Sequence, residues 1–390
     1  MPAATGRRPP PSSASVVVIG GGVMGVSIAH HLAAAGVPDV VLLDKASLGS
    51  GSTCKAAGGV RAQFSDPVNI ALGARSLETF ADFPAQFGQE IDFHQVGYLF
   101  LLSSAAAVTA FEANVMLQNG VGVPSRMISV AEAAAMSPLI STDGLLAAAY
   151  CPIDGHCTPE SVVLGYATAA RRGGATLLPH CAATGIDVQD GRIHAVHTDR
   201  GDIATDTVVC AAGAWSAQVG AWAGVDLPVT PLRRQILITE PVAGLDPDTP
   251  FTIDFDTTYY FHREGAGLLL GMSDPDETPG FKLGRSDSWL PRLGETIARR
   301  TPGLAEVGIA SGWAGLYEMT PDHNALIGRA TDVDGFLYAT GFSGHGFLMG
   351  PAVGEVMRDL YLGRRPFVDV SALGVDRFSA ALTRPELNIV

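Results

Sequence analysis

The beginning of the chain alternates short apolar runs with one segment of small residues. Residues 15–19 form a β-branched run typical of a buried strand, and residues 40–44 form a second one. Between them, residues 25–35 carry the small and apolar side chains of a helix. Because a helix between two buried strands usually makes them parallel neighbours, the pattern predicts a βαβ unit at the start of the fold.

Farther along, strands and helices follow in a mixed order. The apolar periodicity predicts helices at residues 66–80, 159–172 and 350–362. It predicts strands at residues 97–102, 175–179, 182–188, 193–198, 207–211, 234–239, 258–262, 267–272 and 335–340. Strand–glycine-turn–helix units recur near Ala211 and Gly341, which indicates that one doubly wound domain is assembled from separated stretches.

These elements predict an α/β (α+β) fold with two domains. A Rossmann-like, nucleotide-binding domain is expected to take residues 15–92, 153–224 and 319–390. A second domain, built on a large and mainly antiparallel sheet, is expected to be inserted as residues 93–152 and 225–318. Residues 1–14, rich in proline, serine and alanine, are expected to form a flexible tail.

Composition narrows the class of protein. Hydrophobic residues make up 47% of the chain and charged residues 16%, as in a globular enzyme. The formal net charge of −14 argues against nucleic-acid binding. No apolar run approaches the ~18 to 20 residues of a membrane span. The five cysteines fit no metal or disulfide spacing, so we expect reduced thiols in a cytoplasmic protein without a metal site.

The strongest motif is the glycine turn between the first strand and the first helix. Gly20 permits the tight turn, Gly22 lets a pyrophosphate approach the backbone, and Gly25 lets the helix pack on the sheet. The helix N-terminus then offers N–H groups to the phosphates. Asp44 ends the next strand, where a carboxylate can accept both hydroxyls of an unphosphorylated ribose. The motif therefore predicts NAD or FAD rather than NADP.

A small, polar loop follows at residues 49–64. Its glycines can wrap a flexible pyrophosphate, and the hydroxyls of Ser52 and Thr53 can donate to phosphate or ribityl oxygens. A nicotinamide enzyme has no general need for such a loop. The loop therefore favours FAD, although an ordinary surface loop can have the same composition.

A second glycine-rich turn, at residues 341–347, precedes the last predicted helix. The positive end of that helix would face the edge of a flavin ring and stabilise its reduced, anionic form. Within the turn, His345 is a candidate either for a direct catalytic role or for a hydrogen-bonded structural one. The sequence leaves both readings open.

In this order, the segments resemble the D-amino-acid oxidase/sarcosine oxidase superfamily of FAD-dependent amine-oxidising enzymes. The resemblance is closest to the branch of sarcosine oxidase, glycine oxidase and L-proline dehydrogenase β subunits. It rests on the two glycine turns, the loop at 49–64, residues 208–216 and residues 320–322, and it spans residues 15 to about 378. It implies an FAD domain and a substrate domain whose sheet covers the flavin face. The positions expected to contact FAD are Gly20, Gly22, Val23, Met24, Gly25, Asp44, Lys45, Ser52, Thr53, Ala183, Ala212, Gly213, Trp215, Gly315, Gly344, His345, Gly346, Phe347 and Leu348.

Three positions depart from the sarcosine oxidase pattern. Gly315 stands where the resemblance implies a cysteine that attaches FAD, which predicts non-covalent FAD. Leu348 replaces a lysine that pairs with the substrate carboxylate, and Leu269 replaces a lysine that activates O2. Lys55 is the one lysine in a predicted flavin-contacting loop and the only substitute we can nominate, although a phosphate or surface contact would explain it as well.

The resemblance also suggests residues of the substrate site. Arg61 matches an arginine that binds the substrate carboxylate, unless it makes a surface or phosphate contact. Strand alternation places Tyr259 on one face of a sheet and Tyr260 and His262 on the other, and one face is expected to meet the substrate. Tyr317 is a further pocket residue. Glu318, also a pocket candidate, either pairs with an amine or is a solvated loop acid. The candidates for catalytic or substrate contact are thus Arg61, Tyr259, Tyr260, Tyr317, His345 and Lys55.

The activity implied by the resemblance is oxidation of a C–N bond in an amino acid or a small secondary or tertiary amine, with hydride transfer to flavin N5. O2 or a redox partner would take up the electrons, and a homo- or hetero-oligomer is possible. Two alternatives stay open: oxidation of a 2-hydroxy acid, and an electron-relay or non-catalytic FAD subunit of a heteromeric complex. The leucines at positions 269 and 348 give the second alternative its support.

Overall fold

A computed structural model describes residues 9–389. Its helices are α1 (Val23–Ala34), α2 (Pro67–Ala81), α3 (Phe83–Phe87), α4 (Ala105–Gly120), α5 (Val130–Met136), α6 (Pro159–Arg172), α7 (Ser216–Trp222), α8 (Leu290–Arg300) and α9 (Gly346–Tyr361). Within the described range, none of these helices is both long enough and apolar enough to cross a bilayer.

The strands contribute to two large sheets and two small ones. They are β1 (Val16–Ile19), β2 (Val40–Leu43), β3 (Gly59–Val60), β4 (Tyr98–Leu102), β5 (Arg126–Ile128), β6 (Ala147–Cys151), β7 (Gly155–His156), β8 (Thr176–Leu178), β9 (Ala183–Gln189), β10 (Arg192–Thr198), β11 (Ile203–Ala204), β12 (Val208–Cys210), β13 (Thr230–Thr239), β14 (Phe251–Asp254), β15 (Tyr259–Glu264), β16 (Gly267–Gly271), β17 (Ile309–Met319), β18 (Leu326–Arg329) and β19 (Phe336–Thr340).

The first large sheet has the strand order β18-β19-β12-β1-β2-β8. All neighbours are parallel except β18 and β19. Its central strands are apolar along their whole length because both faces are covered. Helices α1, α2, α6 and α9 pack on one face, and the sheet of β9, β10 and β11 together with α7 packs on the other. This is the doubly wound arrangement that the sequence predicts.

The second large sheet has the order β17-β13-β16-β15-β14-β4-β6-β5. Its neighbours are antiparallel except for β14 and β4. Every strand of this sheet comes from the stretches predicted for the inserted domain, apart from the last residue of β17, and every strand of the first sheet comes from the other stretches. The predicted fold class is confirmed, while the residue bounds of the two domains stay a prediction.

The N-terminal residues differ in part from the predicted flexible tail. The N–H of Ala204 donates to the carbonyl of Ser12 at 2.9 Å, and the N–H of Ala14 donates to the carbonyl of Ala204 at 2.9 Å. Residues 12–14 are therefore paired with β11 and are not a loose tail. Residues 1–8 lie outside the described residues.

Candidate active site

A cavity of about 770 Å³ lies where the carboxyl ends of β1, β2 and β12 meet the inserted sheet. This is the usual place for a ligand in a doubly wound fold. The volume falls within the ~300 to 1,000 Å³ that is typical of cofactor and small-molecule sites. All of the predicted site residues line the cavity except Gly25 and Tyr259.

The glycine turn after β1 forms one end of the cavity. Gly20 has a φ of +116°, and a Cβ there would lie 2.2 Å from the carbonyl oxygen of Ala211. At Gly25 a Cβ would lie 1.7 Å from the carbonyl oxygen of Gly20. Gly25 thus lets α1 start against the turn, as predicted. It does so by packing inside the protein, which corrects the expectation that it contacts the cofactor.

Acidic and basic side chains mark the same end of the cavity. The Asp44 carboxylate accepts the N–H groups of Gly21 and Ala46, each at 2.7 Å. Burial raises the pKa of Asp44, and these two hydrogen bonds oppose that rise. Each oxygen keeps a lone pair for a ribose hydroxyl. The Lys45 ammonium lies 3.4 Å from the centroid of the Trp215 ring, a cation–π contact at the edge of the cavity.

The loop that contains Ser52, Thr53 and Lys55 is hydrogen-bonded both to the start of α1 and to the inserted sheet. Thr53 Oγ1 accepts the N–H of Val23 at 3.1 Å, and Ser52 Oγ donates to the carbonyl of Leu316 at 2.6 Å. The Trp313 indole donates to the carbonyl of Lys55 at 3.0 Å. The two predicted hydroxyls therefore hold the loop in place, and each keeps further hydrogen-bonding capacity toward the cavity.

The turn before α9 forms the other end of the cavity. Gly344 has a φ of +106°, and a Cβ there would lie 2.3 Å from the Tyr317 ring. The Glu318 carboxylate accepts Thr340 Oγ1 at 2.8 Å and the N–H of Gly341 at 3.0 Å. Burial raises the pKa of Glu318. Glu318 is thus neither a solvated acid nor an unengaged partner for an amine, because it fixes the turn.

His345 is buried next to this turn. Burial lowers the pKa of its imidazole to about 3, so the ring is neutral near pH 7. Its Nε2 is buried and has no hydrogen-bond partner among residues 9–389. The ring also meets the edge of Phe64, with 5.4 Å between centroids. A ring nitrogen left unpaired argues for a ligand at this position and against a purely structural histidine.

Arg61 is buried and bound to backbone oxygens. Its guanidinium donates to the carbonyl of Gln63 and, at 2.6 Å, to the carbonyl of Asn388. The latter segment is held by Glu386, whose carboxylate accepts the N–H of Ser65 at 2.9 Å. Since a guanidinium has five N–H donors, Arg61 keeps donors for a ligand in the cavity that it lines. A surface role for Arg61 is excluded by its burial.

A buried acid lies behind the Arg61 segment. Asp154 accepts the N–H of Ala62 at 2.9 Å and the side-chain amide of Gln63 at 3.0 Å. Burial raises its pKa to about 7, against the opposing effects of these hydrogen bonds and of the Arg61 charge. Asp154 does not line the cavity. It holds Ala62 and Gln63, the two residues that follow Arg61 after the end of β3.

Aromatic side chains wall the part of the cavity under the inserted sheet. Tyr98 stacks on Phe251 with 4.2 Å between centroids, and Phe251 stacks on Tyr260 at 5.6 Å. Tyr317 lies under the Arg234 guanidinium, which is 5.3 Å from the ring centroid. Tyr260 and Tyr317 both line the cavity, and the sequence left open which face of β15 would do so.

Tyr259 was expected as a site residue, and the structure contradicts this. It lies on the opposite face of β15, is fully buried with Leu270, and its hydroxyl pairs with Thr301 Oγ1 at 3.1 Å. Period-2 alternation forces this separation from Tyr260. His262 shares the Tyr260 face but packs against His156 behind the cavity wall, 4.2 Å between centroids.

Several cavity residues were not anticipated as part of the site, and two of them, Tyr98 and Arg234, bear on its chemistry. Tyr98 and Arg234 both lie on strands that the sequence predicts, but neither was assigned to the cavity. One sequence feature could have identified Arg234 as a site residue: it is a charged residue next to the apolar part of a predicted strand. Lys55 lines the cavity as predicted, with its Cβ 3.0 Å from where a Cβ at Gly315 would stand.

Comparisons with known proteins agree with this geometry. A family model described as "FAD dependent oxidoreductase" matches residues 15–360. Mitochondrial sarcosine dehydrogenase from Mus musculus is 31% identical and mitochondrial dimethylglycine dehydrogenase from Rattus norvegicus is 30% identical, each over 377 residues. These alignments cover 93% and 92% of this chain but 41% and 44% of the relatives, so the chain spans less than half of their length.

A solved structure matches over a larger share of its own length. L-proline dehydrogenase from P. horikoshii has a TM-score of 0.90 and 34% identity, with 96% of this chain and 100% of that chain covered. The predicted sarcosine oxidase-like branch is thus confirmed. The glycine cradles at Gly20 and Gly344 and the unpaired nitrogen of His345 fit a dinucleotide with a second ring system. The chain belongs to the FAD-dependent oxidoreductase (DAO) family, whose cofactor is FAD.

Proposed function

We propose that this chain oxidises the C–N bond of an amino acid or a small N-alkyl amine. When bound, FAD accepts the hydride that the substrate carbon loses, and the substrate leaves as an imine that water hydrolyses. The observation that carries the proposal is the half of the cavity walled by Tyr98, Tyr260, Tyr317, Arg61 and Arg234. The names of the relatives, which are dehydrogenases of sarcosine, dimethylglycine and L-proline, support the same class.

Each half of the cavity has groups suited to one part of FAD. Asp44 and the N-terminus of α1 would hold the ADP half through the ribose hydroxyls and the phosphates. Ser52 and residues 346–348 would hold the flavin half, where the positive end of α9 favours negative charge. Gly315 offers no nucleophile, so we propose that FAD is bound without a covalent bond.

The substrate amine would bind in its neutral form. The cavity acids are engaged elsewhere, since Glu318 holds the turn before α9 and Asp44 lies at the other end. His345 is a weak base because burial lowers its pKa to about 3. Without a base to take its proton, the amine has to arrive deprotonated. We therefore expect kcat/KM to rise with pH up to the pKa of the substrate's own ammonium group.

A redox partner is proposed as the main electron acceptor. Leu269 and Leu348 are buried and apolar, so neither position provides a cation to stabilise superoxide. Lys55 is the cavity lysine beside Gly315, and its replacement would show whether it supplies the residual reaction with O2. A reducing compartment, for which the sequence favours the cytoplasm, is part of the proposal because all five cysteines are free.

The test is anaerobic reduction of the flavin in the purified protein. Sarcosine, N,N-dimethylglycine and L-proline are added separately, with 2-hydroxyglutarate as the matched non-amine. Bleaching of the flavin absorbance by one of the amines alone supports the proposal. If only the hydroxy acid bleaches the flavin, the protein is a 2-hydroxy-acid dehydrogenase and the proposal is wrong. If the protein is yellow but no substrate reduces its flavin, the electron-relay alternative is favoured instead. Peroxide measured after air is admitted reports the use of O2.

A further inference from the structure

Arg234 carries a charge that no carboxylate of the described residues pairs with, although its guanidinium lies 5.3 Å from the centroid of the Tyr317 ring. It lies on β13 directly opposite Gly315 of β17. One terminal nitrogen donates to the carbonyl of Arg233 at 3.1 Å, whereas the Nε is buried and has no hydrogen-bond partner among residues 9–389. A buried donor without an acceptor is destabilising, so an unsatisfied Nε at the cavity wall points to a ligand that supplies the acceptor. We propose that Arg234 is a second anion-binding position, so that the substrate is an amino acid or N-alkyl amino acid with two anionic groups. This inference rests on the proposed function.

The neighbouring residue on β13, Arg233, has the ion-pair partner that Arg234 lacks. Arg233 points to the other side of the sheet, where its Nε donates to the Glu277 carboxylate at 2.6 Å. It does not line the cavity. No described carboxylate forms an ion pair with Arg234, and the two acids that line the cavity, Asp44 and Glu318, are bound to backbone N–H groups.

The two cavity arginines act on the same small region. Burial raises the pKa of Tyr317, whereas the charges of Arg234 and, more weakly, of Arg61 lower it. Both guanidiniums therefore lie close enough to the Tyr317 phenol to influence it. Arg61 donates two hydrogen bonds to backbone carbonyls, and Arg234 donates one. Each guanidinium therefore has N–H donors left for a carboxylate.

Space is available next to Arg234 for such a group. That space is the cavity of about 770 Å³ that Arg234 lines. Gly315, opposite Arg234 on β17, adds no side chain to it, and Lys55 packs directly over Gly315, where a Cβ would lie 3.0 Å from Lys55 Cβ. An amino acid with a single carboxylate would neutralise one guanidinium and leave the other unpaired. A dianionic substrate would pair both, with its amine between them and the aromatic wall of Tyr260 and Tyr317 around it.

Ligand affinity provides a test that does not require turnover. Glutarate and butyrate differ by one carboxylate, and their dissociation constants are read from the change in flavin absorbance of the FAD-bound protein. We expect glutarate to bind at least about tenfold more tightly than butyrate. In Arg234→Gln the ratio should fall to about one, and Arg234→Lys should retain part of it. Arg233→Gln is the matched control and should keep the wild-type ratio.

The kinetic counterpart uses iminodiacetate and sarcosine, which differ by the same group. Wild type should show a lower KM for iminodiacetate than for sarcosine, and Arg234→Gln should lose that difference in KM. Equal binding of glutarate and butyrate by wild type, or an unchanged ratio in Arg234→Gln, overturns the proposal. So does an Arg234→Gln protein that has a native circular dichroism spectrum but no longer binds FAD, since the guanidinium then serves the cofactor. If no amine bleaches the flavin while the glutarate preference holds, only the proposed function fails.

Discussion

The two halves of the cavity are built in different ways. The end around the first glycine turn uses residues 20–24 and residues between 44 and 53, which are close in sequence, and it offers mainly backbone groups to a ligand. The end under the inserted sheet takes Tyr98, Tyr260 and Tyr317 from three strands, together with two arginines. A site built from backbone groups can be recognised from a short sequence motif, because glycine is required wherever other atoms come too close to leave room for a Cβ. A side-chain site depends on which face of each strand meets the ligand, and that is a property of the whole sheet.

The largest expected effect comes from adding a side chain to the backbone half. In Gly25→Val the new Cβ would collide with the carbonyl oxygen of Gly20, 1.7 Å away. We expect loss of FAD binding and a fall of about 3 kcal/mol or more in the free energy of unfolding. Flavin content after purification and denaturant unfolding measure the two effects. Gly294→Ala is the control, because a Cβ there meets nothing within 4 Å and lies inside α8. If Gly25→Val keeps its flavin, the turn is not the constraint described above.

The next effect concerns the acid that supports Arg61. The pKa of Asp154 is raised from 3.8 to about 7, so the folded state holds this proton more tightly than the unfolded chain. Its stabilising contribution is complete below about pH 4 and is lost as the pH rises through about 7. It is on the order of 2 to 4 kcal/mol. In Asp154→Asn the free energy of unfolding should lack this decline between about pH 4 and pH 7. Parallel pH profiles of the two proteins would contradict the assignment.

A smaller effect is expected in the side-chain half. Arg61→Leu should lower kcat/KM for L-proline about a hundredfold, because a charge-assisted pair with the carboxylate is lost. Pyrrolidine, which has no carboxylate, should be affected much less. Arg75→Gln serves as the control, since Arg75 is exposed and pairs with Glu355 at 3.0 Å. An equal loss for both amines would mean that Arg61 supports the fold or the cofactor instead.

The smallest effect separates two adjacent tyrosines. Tyr260→Phe should change kcat/KM severalfold, because Tyr260 lines the cavity. Tyr259→Phe should leave the kinetics unchanged and cost about 1 kcal/mol of stability, because its hydroxyl loses Thr301. Steady-state kinetics and unfolding of the same two proteins make the comparison. A kinetic defect in Tyr259→Phe alone would reverse the assignment of the two faces of β15.

Local signals in the sequence account for most of the fold. Helix α6 has the bounds that its periodicity predicts, and β1, β2 and β19 differ from theirs by one residue at an end. Helix α9 starts four residues earlier than predicted, at Gly346, because burial against α1 outweighs the poor helix propensity of glycine. Strand β17 was not predicted, since Gly312 and Gly315 interrupt its pattern and its first three residues are exposed.

The parts of the candidate site that depend on contacts between residues far apart in the sequence could not be predicted. The role of Asp44 follows from its spacing after the glycine turn. The carbonyl of Asn388 lies 327 residues from Arg61, and no local pattern signals that the two meet. Arg234 lies on a strand that was predicted, yet the face it presents is decided by the pairing of β13 with β17. The choice between Tyr259 and Tyr260 needed the same information.

The contact between Lys45 and Trp215 has a practical consequence. Trp215 lies at the edge of the cavity, whereas Trp289 is buried in a different cluster under the second sheet. A flavin within the cavity absorbs where indole emits, so energy transfer should quench Trp215 far more than Trp289. Trp222 lines the same cavity, so replacing Trp215 and Trp222 together by phenylalanine would remove most of that response. The protein thus carries its own optical reporter, with which the uptake and release of the cofactor can be timed without any label.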